Sequence, residues 1–149
     1  MMTRAMEEQD LDQVVSIEQA CFSQPWSRQG FLDSLNGEDG LFLVAQGEAD
    51  HREIRGYVGM TISIDEGEIT NVAVADIYRG CGVGEALMNG LIAEARKREI
   101  TRIVLEVRVS NAPAIGLYKK IGFRSVGIRK NFYEFPKEDA DIMVWEDIC

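Results

Sequence analysis

The run Arg79-Gly80-Cys81-Gly82-Val83-Gly84 sets a cation beside three glycines at alternate positions, and Glu85-Ala86-Leu87 follows as the start of a helix. Glycine has no Cβ, so backbone N–H groups can crowd together there, and the first amides of a helix lack intrahelical acceptors. The two features together form an anion cradle, and a phosphate-bearing ligand gains from the helix dipole as well. A cofactor with a pyrophosphate is the expected occupant. A glycine turn that merely lets a helix pack close to a strand is the plainer reading of the same residues. A dinucleotide-binding unit shares the plan of strand, glycines, helix and strand, with an acidic residue (Glu106) about twenty positions on. Its third glycine should fall three residues after the second, where Glu85 or Leu87 stands, and Asp76-Ile77-Tyr78-Arg79 separates strand from glycines. A P-loop would need Gly-Lys-Ser/Thr, which is absent.

Glu106 lies among Ile103, Val104, Leu105 and Val107, a strand that reads as apolar on both faces. Its carboxylate is either at a solvated strand end, paired with Arg108 or another cation, or desolvated in a cleft. Desolvation would raise its pKa and suit a general base near neutral pH. Tyr118, among Ile115, Leu117, Ile121 and Phe123, is either a core ring with a tethered hydroxyl or a proton donor. Asn111 is a helix cap or a ligand contact. Cys81 could be a thiol activated by helix amides, but no partner base accompanies it. His51, the one histidine, falls in a polar turn, which gives little support to a histidine triad or a metal centre. Trp26, after Pro25, could line a pocket or pack in the core.

The elements that must position these groups follow from periodicity. Thr3 to Met6 forms a short strand. Asp10 or a neighbour caps a helix carrying Leu11, Val14, Val15, Ile17, Glu18 and Cys21. Gln24-Pro25-Trp26 breaks it, and Ser27 caps a second helix with Phe31, Leu32 and Leu35 inward. Strands are expected at Leu41 to Gln46, Ile54 to Ile64 and Glu68 to Ala75, joined by a polar turn at Gly47 to Glu53 and a second at Asp65 to Gly67. A helix from Glu85 to Arg98 repeats Leu87, Leu91 and Ala95 at four, and its terminal charges complement the dipole. Arg102 to Val107 is a strand, and a strand-helix-strand crossover makes it parallel to the strand before the glycines. Ser110-Asn111-Ala112-Pro113 starts a last helix that Gly122 stops. Phe123 to Tyr133 pairs with Asp141 to Ile148 across a turn around Pro136. The expected fold is α+β: a mixed, largely antiparallel sheet flanked by helices.

At 149 residues, 46% hydrophobic and 28% charged, the chain is of a size and composition for a single globular domain spanning 1–149. Sixteen basic against twenty-five acidic side chains give a net charge of −9, which argues against nucleic acid or an anionic membrane as partner and favours a basic acceptor. Cys21, Cys81 and Cys149 are odd in number and have no metal-ligand spacing, as in a reducing compartment without a disulfide framework. The N-terminus has no apolar run like a signal peptide, and no stretch reaches transmembrane length, so a cytoplasmic location is expected.

Taken together these residues resemble the GNAT superfamily of N-acetyltransferases. Arg79 to Gly84 matches its Arg/Gln-x-x-Gly-x-Gly/Ala loop, and Asn111 to Phe123 matches its Asn-Ala-x-Ala-Ile-x-Leu-Tyr-x-x-x-Gly-Phe block, with Pro113 at a variable place. More narrowly, Pro25-Trp26-Ser27, Asn71-Val72-Ala73-Val74, Leu105-Glu106-Val107-Arg108 and Arg129-Lys130-Asn131-Phe132-Tyr133 look like the RimI-type ribosomal-protein alanine N-acetyltransferases. The resemblance covers about Thr3 to Ile148. It implies a sheet splayed between its fourth and fifth strands, with acetyl-coenzyme A in the gap and no metal. It further implies that the backbone of Val72, Ala73 and Val74 holds the pantetheine arm and acetyl carbonyl, and that Arg79, Gly80, Cys81, Gly82, Val83, Gly84 and Glu85 hold the pyrophosphate. Asn111 and Tyr118 would contact the cofactor, Glu106 would act as base, and Tyr118 as acid toward the leaving thiolate.

An amine attacks a thioester only when neutral, and an α-amino group with a pKa of about 7.7–8.0 needs less help than a lysine at about 10.4. A carboxylate acting through a water then suffices, and the Val74 N–H is a plausible oxyanion donor on a splayed strand. Asp65, Glu66, Glu68, Glu134, Glu138, Asp139 and Asp141 fall where they could flank the acceptor cleft and suit a basic N-terminal peptide, as of a ribosomal protein. Asn131-Phe132 stands where Asn-Tyr is more usual in the resembled family. A monomer or weak homodimer is expected. The alternatives are acetylation of lysine side chains or small amines, and a non-catalytic acyl-coenzyme A-binding module.

Overall fold

The structure is a computed structural model that describes residues 2–148; Met1 and Cys149, one of the three cysteines, lie outside the described residues. The strands are β1 (Met2–Ala5), β2 (Gly40–Gln46), β3 (Ile54–Ser63), β4 (Glu66–Val74), β5 (Arg102–Arg108), β6 (Arg124–Glu134) and β7 (Lys137–Glu146). They join one sheet in the order β1-β2-β3-β4-β5-β7-β6. Every adjacent pair is antiparallel except β4 and β5, which the intervening helix makes parallel. The mixed α+β architecture expected from the pattern is the one observed.

The parallel pair is short. Glu66, Gly67 and Glu68 lie opposite Arg102, Ile103 and Val104, and there the pairing stops. Beyond it, β4 continues against β3 and β5 continues against β7, so the sheet parts between Ile69–Val74 and Leu105–Arg108.

The register of β4 on β3 shifts between Gly59/Met60, with Asn71 opposite Gly59 and Ile69 opposite Met60, leaving Thr70 as the extra residue of a bulge. One inserted residue reverses the side-chain phase. Ile69 therefore packs with Met60 on one face, Asn71 and Ala73 turn to the other, and Val72 and Val74 return to the first.

Four helices cover the two faces: α1 (Leu11–Cys21), α2 (Arg28–Asn36), α3 (Val83–Lys97) and α4 (Ala112–Ile121). The α1 stripe of Leu11, Val14 and Ile17 packs with Phe31 of α2 against Phe42, Val44, Tyr57 and Ala73. On the opposite face, Leu87, Met88, Leu91 and Ala95 of α3 and Tyr118 of α4 pack over Val58, Met60, Ile103 and Leu105. Each such side chain taken fully out of water contributes about 1.5–3 kcal/mol before entropy is counted. Gly59 is needed where Phe42 crosses β3, because a Cβ there would come within 2.2 Å of the ring.

The local signals act as expected at three helix ends. The Ser27 hydroxyl accepts from the Gly30 N–H at 3.0 Å, the Asn111 side chain accepts from the Ala114 N–H at 3.3 Å, and Gly122 takes φ 121° past the end of α4. Several boundaries differ, among them β7, which starts at Lys137 and not Asp141 because the β6–β7 hairpin pairs up to Glu134 opposite Lys137. The Asp10 carboxylate looks backward, accepting from the Glu7 N–H at 2.8 Å and from both Arg4 amino groups, so it fixes the turn before α1 instead of capping α1. Helix α3 starts at Val83, two residues earlier than expected, because Gly82 at φ 83° serves as its N-cap. The β3–β4 hairpin turns at Ile64 and Asp65, with Ser63 opposite Glu66, so Glu66 and Gly67 belong to the strand.

Candidate functional site

The parting of β4 from β5 leaves one edge of β4 without a strand partner. The Ala75 N–H donates to the Arg55 carbonyl at 2.8 Å, which sets the alternation on this stretch: Ala73 spends its backbone groups on β3, and Val72 and Val74 direct theirs into the gap. The sequence grouped Val72, Ala73 and Val74 as backbone contacts and distinguished only the Val74 N–H, as oxyanion donor. The structure separates them, with Ala73 committed to the sheet and the Val72 and Val74 amides on the open side. The Val74 carbonyl also receives the Cys21 thiol at 3.8 Å.

Directly after this edge comes the glycine turn. Gly80 and Gly82 have φ 77° and 83°, and a Cβ at either would meet open space within 4 Å. The first bond of the α3 ladder runs from the Ala86 N–H to the Gly82 carbonyl at 3.1 Å, so the amides of Gly82, Val83, Gly84 and Glu85 have no backbone acceptor among the described residues. Backbone donors, room above them and the positive end of a 15-residue helix coincide, which fits a pyrophosphate. Gly84 differs from the other two: it sits in the first turn of α3, where a Cβ would approach Leu117 at 3.0 Å, so it serves the packing of α3 on α4. Lys120 ties the same corner, its Nζ 3.1 Å from the Glu85 carboxylate. Arg79 points elsewhere. Its guanidinium lies 3.2 Å from Asp76 and 3.4 Å from the Cys21 sulfur, beside a depression of about 530 Å³ between the end of α1 and the turn. Cys81 is exposed.

Across the gap stands Glu106. The strand β5 buries Ile103, Leu105 and Val107 on the α3/α4 side and leaves Arg102, Val104, Glu106 and Arg108 half-covered on the other, so it alternates and is not apolar on both faces. The Glu106 side chain is 18% exposed and its carboxylate lies 3.8 Å from the Arg129 guanidinium. Burial pushes its pKa above the usual carboxylate range, Glu68 adds to the rise, and Arg129 opposes it. Arg108 is not its partner. Arg108 holds the β6–β7 turn, donating to the carbonyls of Pro136 at 2.8 Å and Phe135 at 3.1 Å, pairing with Glu138 at 3.2 Å and stacking 4.2 Å from the Tyr133 ring centre.

Tyr118 enters from α4. Its ring is core, with Phe123 at 5.9 Å, but its hydroxyl has no hydrogen-bond partner among the described residues, so the expected tether is absent. Burial pushes the phenol up to about 12, and Tyr133 adds to this, so the group keeps its proton throughout the neutral range. Tyr133, half-buried under the Arg108 guanidinium, has a phenol that burial pushes above its ordinary range, with Arg108 opposing and Glu106 adding to the rise; the sequence assigned it no role of its own. The Asn111 side chain is used as the α4 cap.

Two loops bound the Glu106 side. The α1–α2 loop meets the β6–β7 turn where the Ser23 hydroxyl donates to the Phe135 carbonyl at 2.5 Å. Trp26 packs on Phe31 and Phe42 at 5.2 and 6.4 Å and lines a shallow depression with Ser27, Gly30 and Ser34. Of the acidic residues expected to flank an acceptor, Glu66, Glu138, Asp139 and Asp141 are held by Arg102, Arg108, the Asn131 N–H and Ser125. Asp65 accepts from Thr101, and His51 is exposed in the β2–β3 turn as its setting suggested. Glu18, placed on the first helix by its periodicity but given no role, is 2% exposed and bonded to Tyr57, Asn71 and the Trp26 N–H. Its place on the Leu11/Val14 stripe was the available signal.

The site can therefore offer free backbone donors along one opening of the sheet and a carboxylate with raised pKa across it, while α4 supplies a neutral phenol. The sequence and fold are shared with known proteins. The profile of the acetyltransferase (GNAT) family matches residues 11–123. A Bacillus subtilis (strain 168) protein provisionally named a ribosomal protein bS18-alanine N-acetyltransferase is 40% identical over 141 residues, covering 94% of this chain and 91% of that protein. The ribosomal protein bS18-alanine N-acetyltransferase of Escherichia coli (strain K12) is 37% identical over 142 residues, with 93% of each chain covered. The crystal structure of the ribosomal-protein-S18-alanine N-acetyltransferase from Escherichia coli superposes with a TM-score of 0.85 at 34% identity, covering 97% of this chain and 92% of that one. With a family match over about three-quarters of its length and relatives alike over more than nine-tenths of it, the chain belongs to the acetyltransferase (GNAT) family.

Proposed function

We propose that this protein, a single catalytic domain of the cytoplasm, transfers an acetyl group from acetyl-coenzyme A to the N-terminal α-amino group of an alanine-starting protein, a ribosomal protein being the physiological acceptor. The observation that carries the reading is the juxtaposition of the unpaired Val72 and Val74 edge with Glu106 across the opening between β4 and β5. Relatives named as bS18-alanine N-acetyltransferases, matched over more than nine-tenths of this chain, support the choice of acceptor.

The thioester supplies an activated acyl group, so the enzyme needs neither a metal nor a covalent intermediate to make the carbonyl reactive. The Val72 and Val74 backbones align the acyl arm as an added strand would, and the Val74 N–H donates to the carbonyl oxygen as negative charge develops on it. The amides of Gly82 to Glu85 hold the pyrophosphate, Gly80 and Cys81 form the rim of that cradle, and Asn111 approaches from the start of α4. Arg79 would have to leave Asp76 to reach a phosphate. Glu106 takes the proton from the incoming ammonium, directly or through a water. Its raised pKa brings it closer to that of an α-amine, which makes the transfer less uphill. As the N–C bond forms and the C–S bond breaks, Tyr118 gives its proton to the departing sulfur.

Incubation with acetyl-coenzyme A and peptides beginning with alanine, serine or methionine, or carrying an internal lysine, followed by mass spectrometry, tests the assignment. Acetylation at the α-amine of the alanine peptide is expected. Modification confined to lysine side chains or small amines would overturn it.

A further inference from the structure

One buried ionisable group is left unused by this mechanism. Glu18 of α1 lies on the α1/α2 face of the sheet, 2% exposed, without a cation beside it among the described residues. Its carboxylate accepts from three elements at once. The Trp26 N–H donates at 2.9 Å from the α1–α2 loop, the Tyr57 hydroxyl donates from β3, and the Asn71 amide nitrogen reaches both carboxylate oxygens at 3.4 Å from β4. Burial and Glu18 together hold the Tyr57 phenol well above its usual range, so it remains a donor.

Asn71 is itself 4% exposed, and its Oδ1 is the buried side-chain oxygen or nitrogen left without a partner among the described residues. Its orientation follows from chemistry. An amide oxygen turned toward a carboxylate would set acceptor against acceptor, so Glu18 forces Nδ2 inward and Oδ1 away. A buried unpaired acceptor is costly, and one that is kept beside a candidate active site calls for a functional explanation. Asn71 follows the Thr70 bulge on the strand that borders the opening, one residue before Val72 and on the same face as Glu106.

We propose that Glu18 is a positioning residue for the acceptor amine: it fixes the α1–α2 loop against β4 and holds the Asn71 amide so that Oδ1 accepts a hydrogen bond from the incoming N–H. The inference rests on the transfer reaction above but not on which amine is acetylated. It explains why a carboxylate, the side chain that accepts from all three donors and offers none, occupies a buried helical position. A glutamine there would bring its own NH₂, to which the Asn71 oxygen would turn, presenting NH₂ to the amine in place of an acceptor.

Steady-state kinetics of Glu18→Gln, of Asn71→Asp and of the pair together provide the test, using whichever amine the wild-type protein acetylates most efficiently. If that amine is a lysine or small amine, the α-amino assignment fails while this test still runs. Glu18→Gln is expected to raise the acceptor KM about tenfold, the scale of one hydrogen bond to a charged group, with the KM for acetyl-coenzyme A unchanged. The double variant returns a carboxylate and an amide NH₂ to facing positions with one oxygen left outward, and is expected to recover most of the acceptor KM. A merely structural role predicts a lower Tm without a selective change in acceptor KM, and no recovery in the double variant. That pattern would overturn the proposal, as would an equal rise in both KM values. Should Glu18→Gln fold poorly, Asn71→Leu, which removes the acceptor and leaves Glu18 with two donors, is expected to show the same selective rise, and its absence would be equally decisive.

Discussion

Glu106 of β5 and Arg129 of β6 face each other at 3.8 Å across the intervening strand β7. The contact restrains a carboxylate that burial and Glu68 push the other way. Removing the cation in Arg129→Gln should therefore raise the Glu106 pKa further, and Glu68→Gln should lower it. Carbon-13 NMR of the Glu106 carboxyl reads both directly. The base works ionised, so the Glu106 part of the acid limb of kcat/KM should move to higher pH in the first variant and to lower pH in the second. Shifts of the same sign in both would refute the assignment of opposing influences.

Tyr118 combines a packed ring with an unpaired hydroxyl, and Tyr118→Phe keeps the former while deleting the latter. The variant should bind coenzyme A as the wild type does and retain its thermal midpoint. Its kcat should fall about 10²- to 10⁴-fold, the usual contribution of a positioned proton donor. Unchanged turnover with intact cofactor affinity would remove the residue from the chemistry.

At Gly82 the backbone and the ligand make separate demands. A side chain there must adopt φ near 83°, which costs about 1–2 kcal/mol, yet its Cβ meets no protein atom within 4 Å. Gly82→Ala should lose about that much stability in urea unfolding. A further loss of coenzyme A affinity, measured by calorimetry on the folded protein, is expected if the space above the turn receives the pyrophosphate; unaltered affinity would empty the cradle of its role.

The parts legible in the sequence were those set by local rules. Ser27, Asn111-Pro113 and Gly122 marked helix ends because capping needs only neighbours, and the Leu87/Leu91/Ala95 repeat announced the face of α3 for the same reason. What could not be read depended on distant partners. Ile64 looked like strand, but the hairpin needs only two turn residues and leaves that side chain in solvent. Gly84 looked like one more glycine of the anion cradle, and it is Leu117 of α4 that gives it a packing role in α3. Glu106 was visible as an oddity, while the groups that set its pKa, Arg129 and Glu68, come from β6 and β4. Arg79 matched its motif, yet its contacts are with Asp76 and Cys21. Glu18 was counted with an apolar stripe, since its three donors lie on a loop and two strands.

Arg108 gathers the β6–β7 turn through Phe135, Pro136, Glu138 and Tyr133. Arg108→Met keeps the stem over the ring and removes the donors. The turn should then exchange its amide hydrogens faster, and the acceptor KM should rise while that for acetyl-coenzyme A holds. Loss of cofactor affinity instead would place the arginine on the other side of the reaction.

The brevity of the contact between β4 and β5 has a mechanical consequence. Two half-sheets, each internally well bonded, meet along a seam of three residue pairs and are otherwise joined through helix α3 and its neighbours. Such a seam is where the molecule can breathe without unfolding. Whatever fills it acts as a rivet, so ligand occupancy and mechanical cohesion become one quantity.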